Sequence, residues 1–130
     1  MTLREHRAQV LRDFAELLTY PASDPLPVAK RCRGLVGRRA ARHLEAFVSR
    51  AERAAPHEME EEFSATFDLQ PACAPYVGHH LCGDSPRRGE FLARLAGVYR
   101  DDGFADPTAG SELPDHLAVV LRYLAATPSG

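Results

Sequence analysis

The chain has 130 residues, 45% of them apolar and 26% charged, with a formal net charge of -2, which is the make-up of one soluble globular domain. No apolar run approaches the roughly eighteen residues of a membrane helix, and the N-terminus is a charged amphipathic pattern without the apolar segment of a signal peptide. Membrane insertion is thereby excluded and the cytoplasm expected, in keeping with three cysteines, at 32, 73 and 82, that are too few and too odd in number for a disulfide framework.

In chain order, Thr2 and Glu5 form a capping box, and Leu3, Val10, Leu11, Phe14, Leu17 and Leu18 recur at helical spacing until Pro21 stops the helix. From Leu26 to Ala55 two apolar sets, Val28, Cys32, Leu35 and Val36, then Leu44, Phe47, Val48 and Ala51, predict a short and a longer helix with a break at Gly34 and Gly37. Lys30 to Arg53 holds eight basic residues against two acids. Without interleaved aromatics or an overall basic excess, these read as solvated helix faces and give no nucleic-acid partner.

Pro56 opens a further helix whose acidic first turn suits the positive end of the helix dipole and whose Met59, Phe63 and Phe67 share a face. Asp68 to Val77, with Pro71 and Pro75, reads as a loop. Asp84 or Ser85 then caps a helix with Pro86 at its first position, carrying Phe91, Leu92, Leu95, Val98 and Tyr99 and ending at Gly103. A last helix is predicted to begin near Pro114 with Leu117, Val120, Leu121 and Leu124 as its main stripe. At about 100° per residue Asp115 falls nearly opposite that stripe and His116 beside Tyr123. Such a helix, apolar on more than one side, normally lies mid-bundle. It docks under the preceding helices, or one face awaits a partner, a second copy or further residues. The whole is expected to be a single all-α domain over residues 1–130.

Chemistry is sought in the last third, in CAPYVGHHLCG from Cys73 to Gly83 and in the Pro-Asp-His block. Cys73, His79, His80 and Cys82 offer four borderline ligands within ten residues, but C-x5-H-H-x-C is no structural zinc pattern and adjacent histidines diverge, so buried thiols and half-exposed histidines are preferred. Asp115 and His116, consecutive on a helix, diverge too far to act as a catalytic dyad, and no nucleophile elbow or phosphate loop accompanies them. Asp115 reads as a first-turn capping acid, with His116 beside it a helix-terminus donor.

The run EEEFSATFDL (Glu60 to Leu69), the helix start G-D-S-x-R-x-G (Gly83 to Gly89), V-Y-R-x-x-G-F ending at Phe104, and E-L-P-D-H-L (Glu112 to Leu117) together resemble the redox-enzyme maturation chaperones of the NarJ, TorD and DmsD type. The similarity runs from L-L-T-Y-P near Leu17 to Ala125. It implies a helical, cofactor-free chaperone, not an enzyme, that binds the apo catalytic subunit of a molybdenum oxidoreductase of the DMSO reductase family, often by its N-terminal leader peptide, until the molybdenum cofactor is inserted. Carried over, the peptide groove takes Tyr76, His79, His80, Leu81, Gly83 and Asp84 from the first block and Glu112, Pro114, Asp115, His116 and Tyr123 from the second. Asp84 and Asp115 would meet the positive charge of the peptide, and Tyr76, Leu81 and Tyr123 its apolar side. Members of the family usually continue for several helices past this point, so a short form, or one that completes its bundle as a homodimer, is expected. The histidine-rich block resembles the subgroup serving exported chlorate, selenate, dimethyl-sulfide or ethylbenzene oxidoreductases. Outside the resemblance, a small histidine and cysteine metalloprotein and a helical dimerisation module stay open. Reversing charge at Asp115 is expected to weaken client binding with little loss of fold.

Overall fold

The computed structural model describes residues 1–19, 24–106 and 112–127. Among these residues seven α-helices follow one another: α1 (Leu3–Leu17), α2 (Leu26–Arg33), α3 (Arg38–Arg53), α4 (Pro56–Phe67), α5 (Val77–Cys82), α6 (Arg87–Asp101) and α7 (Leu117–Ala126), with a 3-10 turn at Pro71–Cys73. The all-α expectation holds, and among the described residues no helix is long and apolar enough to cross a membrane.

The first four helices form where the apolar periodicity places them. Thr2 and Glu5 close the capping box of α1, with the Glu5 amide donating to Thr2 Oγ1 at 3.1 Å and the Thr2 amide to Glu5 Oε2 at 2.7 Å. Leu3, assigned to the apolar stripe, is 86% exposed, because it precedes the first turn that packs on a neighbour. In α3 the buried set is Leu44, Val48 and Ala51, spaced four and three residues apart, and its arginines point to solvent. Surface pairs Arg33–Glu45 and Lys30–Glu52 tie α2 to α3, each contributing little beyond register.

α1 packs against α2 on one side and α7 on the other, and α5 lies on α6. Small side chains make this possible: Ala15, Ala29 and Ala118 are all nearly or fully buried, so helix backbones approach closely. The buried side of α7 is Ala118 and Val119, whereas Leu124 of the expected stripe is 37% exposed. The expected stripe lies wholly within α7 (Leu117–Ala126), so what differs is the face that is buried, which carries Ala118 and Val119. Asp13, in the middle of α1, is fully buried and accepts from Gln9 Nε2 at 2.7 Å and from Arg31 Nη2 of α2 at 2.6 Å. Beside it Cys32 is also fully buried, and burial raises its thiol pKa.

The loop expected over Asp68 to Val77 holds up to Tyr76, apart from the 3-10 turn, and a short helix not expected from the sequence, α5, follows it; at six residues it carries none of the periodicity by which the longer helices are seen. One expected detail is corrected. At α6, neither Asp84 nor Ser85 supplies the cap; Pro86 occupies the N-cap and Ser85 Oγ donates backward to the Cys82 carbonyl at 2.8 Å.

Candidate functional site

The site is a junction between two chain segments that are far apart in sequence. Residues 75–77 lie antiparallel to 115–117, with Tyr76 opposite His116. The Leu117 amide donates to the Pro75 carbonyl at 2.7 Å and the Val77 amide to the Asp115 carbonyl at 3.0 Å. This clasp starts α5 and α7 side by side. Two prolines shape it, for Pro75 and Pro114 lack an amide and present carbonyls only. The Pro114 carbonyl accepts from Tyr99 Oη of α6 at 2.8 Å, which anchors the turn to the bundle.

Asp115 is fully buried. Its Oδ2 accepts from the Gly78 amide at 2.9 Å and from Arg88 Nη2 at 3.4 Å, so the residue caps α5 and not its own helix. The fit requires glycine at 78, since a Cβ there would stand 2.6 Å from Asp115 Oδ2 and 3.1 Å from the Phe91 ring. Asp115 Oδ1 and Arg88 Nε are both buried without a partner among the described residues. The helix arithmetic that set Asp115 opposite the main apolar stripe and away from the core is therefore overturned, because the residue belongs to a turn and not to α7. A lysine there would bury an ammonium against Arg88, so charge reversal is expected to cost the fold, against the expectation of little loss.

His116 is the N-cap of α7: Nδ1 accepts from the Ala118 amide at 3.1 Å, the reverse of the donor role expected. Burial lowers its pKa below the ordinary histidine value, opposed by Glu112, whose Oε2 lies 3.9 Å from Nε2. Tyr76 packs edge-on against the imidazole, with centroids 5.2 Å apart, and its Oη donates to Glu112 Oε1 at 2.7 Å. Burial first, then Glu112, pushes the Tyr76 phenol up to about 12.

Tyr76, Glu112 and His116 thus meet on one cavity of about 340 Å³ with mixed polar and apolar walls, the others being Thr19, Phe63, Phe67, Asp68, Pro75, Ala118 and Arg122. Thr19, Phe63 and Phe67 are shared with a larger, mostly apolar groove of about 660 Å³ between α1, α2, α3 and α4, lined by Phe14, Leu17, Val28, Phe47 and Met59 among others and edged by Glu16, Asp24 and Glu62. Groove and cavity therefore have these three walls in common. The groove residues had been read as core faces, which is how half-buried apolar stripes look in a sequence; the aromatic and methionine content of α4 is the one signal that sets them apart.

The remaining predicted residues are dispersed. His80 is exposed, its Nε2 donating to the Ala74 carbonyl at 2.7 Å, and Leu81 is 69% exposed. His79 stacks edge-on with His80. Gly83 ends α5 at φ +62, where a side chain would be strained, and Asp84 is exposed. Tyr123 lines a different, open trough with Phe104, Arg12 and Arg122, its hydroxyl on Asp102. Cys73 is exposed and Cys82 half-buried. Among the described residues no three histidine, cysteine or acidic side chains come together as a metal-binding group, so Cys73, His79, His80 and Cys82 do not converge.

Three likenesses to known proteins bear on this arrangement. The family model for the nitrate reductase delta subunit matches residues 37–129. The nitrate reductase molybdenum cofactor assembly chaperone NarJ of Escherichia coli K12 is 33% identical over 73 residues, which is 56% of this chain and 30% of that relative, and the O157:H7 protein aligns with the same figures. The chain thus matches under a third of the length of these curated relatives. A crystal structure of a redox enzyme maturation protein from Archaeoglobus fulgidus superposes with a TM-score of 0.61, covering 96% of this chain and 71% of the other at 23% identity, a likeness of fold.

Proposed function

The chain belongs to the nitrate reductase delta subunit family, and from that premise we propose that it is a cytoplasmic maturation chaperone for the catalytic subunit of a molybdenum oxidoreductase of the DMSO reductase family. It holds the apo subunit by an N-terminal segment until the cofactor is in place, and carries out no chemistry of its own.

The observation that carries this reading is the apolar groove walled by α1, α2, α3 and α4, which shares Thr19, Phe63 and Phe67 with the cavity at Tyr76, Glu112 and His116. A groove with aromatic and methionine walls and acids along its edge suits an amphipathic helical segment bearing one or two cationic residues. Its apolar side lies against Phe14, Phe47, Met59 and Phe63, and its charge faces Glu16 and Asp24. The histidine-rich block and Tyr123 lie outside this path, so the sequence-based groove is relocated and only its Tyr76, Glu112 and His116 portion is kept.

The test is titration calorimetry with a purified client subunit, intact and lacking its N-terminal segment. The intact subunit is expected to bind and the shortened one to bind at least tenfold more weakly, with Phe63→Ala on the chaperone reproducing a loss of about the same size. Equal binding of both forms of the client overturns the peptide reading; no binding of either overturns the chaperone reading.

A further inference from the structure

We infer that the clasp between residues 75–77 and 115–117 is a proton-operated latch on the cavity, closed while the His116 imidazole is neutral and released when it takes up a proton. A backbone N–H can only donate, so the Ala118 amide at 3.1 Å requires a bare lone pair on His116 Nδ1. The single ring proton of the closed form is then on Nε2, on the side of Glu112 Oε2. One tautomer fits.

Protonation puts a hydrogen on Nδ1 that points at the N–H of Ala118. The cap becomes a donor-to-donor contact, and an imidazolium sits on the positive end of α7, where the helix dipole repels it. The ring is 5% exposed and cannot hydrate in place. It must swing, and because Tyr76 pairs with His116 through both backbone and ring, the swing loosens the Val77 and Leu117 amide bonds that join α5 to α7.

The charges around the ring have been set for such a step. Glu112 and Asp115 flank it from its own turn, Arg122 approaches from α7, and Asp106 comes from the segment after α6. Asp68 at the end of α4 and Tyr76 before α5 share the cavity wall. Thr19, Phe63 and Phe67 from α1 and α4 bring no charge. Glu112 is the nearest carboxylate for a displaced imidazolium, and it already holds the Tyr76 hydroxyl. Burial and Arg122 keep the enclosed ring neutral, so the latch is fully closed above the ordinary histidine value near 6.5 and loses ground as pH falls below it, until the lowered value of the enclosed ring is reached.

Amide exchange of the protein alone, followed by NMR, tests the latch without a client. Corrected for intrinsic rates, exchange at Val77, Leu117 and Ala118 is expected to quicken about tenfold between about pH 7.5 and 5.5. In His116→Asn, whose side-chain oxygen caps the helix but takes no proton, the same amides should show no such acceleration. An equal acceleration in His116→Asn assigns the effect to another group and overturns the latch. So does a wild-type ring that carries its proton on Nδ1 at neutral pH, a result that needs no variant. The link to client release rests on the proposed function: affinity for the N-terminal peptide of the client should fall over the same pH range in the wild type and stay level in His116→Asn. If exchange follows the expected course while affinity ignores pH, the latch stands and the placement of the peptide fails.

Discussion

Two fully buried aspartates, each set against an arginine, hold two different junctions of this fold. Asp13 sits in the middle of α1 and is saturated: Gln9 and Arg31 Nη2 both reach Oδ1, and Arg31 Nε reaches Oδ1 at 3.2 Å and Oδ2 at 3.3 Å. Asp115 sits in a turn and is left half satisfied, with Gly78 and a long contact from Arg88 on Oδ2 and nothing among the described residues on Oδ1. A buried carboxylate with an idle oxygen beside an idle Arg88 Nε stores unmet hydrogen-bonding capacity. The first pair locks α1 to α2. The second holds a junction that has not used all its bonds and can rearrange at lower cost, which is where the cavity and His116 lie.

The largest effect is expected at Gly78. Alanine there sets a methyl 2.6 Å from the fully buried Asp115 carboxylate and 3.1 Å from Phe91; the Gly78 to Asp115 bond stretches or α5 lifts off α6. Urea unfolding should show a loss of about 3 kcal/mol, from overpacking together with a charged hydrogen bond. A cost below about 1 kcal/mol would mean that the junction already yields. Next comes Arg31→Ala, which leaves Asp13 buried with Gln9 alone. A fully enclosed pair would lose about 3 to 5 kcal/mol, but the Arg31 side chain is 50% exposed, so about 2 kcal/mol is expected.

Legibility in the sequence follows the same division. The helices α1 to α4, α6 and most of α7 show in the chain as apolar spacing because periodicity reports one apolar face per helix, whether that face ends buried, as in α3, or half-buried, as in α4. Asp13 does not show, since an acid one position from Phe14 looks like the edge of a polar face; its burial depends on Arg31, eighteen residues away. The Pro-Asp-His block was visible as a candidate, yet its geometry was misread for a local reason. Extending the α7 period back through Pro114 turns Asp115 outward, whereas the pairing with Pro75 and Val77 holds it in a turn and turns it in. Only the fold supplies that pairing. The groove was visible residue by residue and not as a groove, because a half-buried stripe and a core stripe have the same spacing.

The finest distinction between the two aspartates comes from replacing each by asparagine. An amide keeps the shape of the carboxylate, surrenders its charge and exchanges one acceptor for a donor. At Asp13 both oxygens accept from Arg31, so any orientation of the amide sets an NH2 against a guanidinium, and about 2 kcal/mol should be lost. At Asp115 the amide can leave its oxygen toward Gly78 and place its NH2 where Oδ1 had no donor among the described residues to lose. The cost there should be about 1 kcal/mol, mainly the weakened attraction to Arg88 across 3.4 Å. Parallel urea titrations of Asp13→Asn and Asp115→Asn check the order. If Asp115→Asn proves the more damaging, the idle oxygen is engaged in solution, and the junction is as fully bonded as the α1–α2 lock.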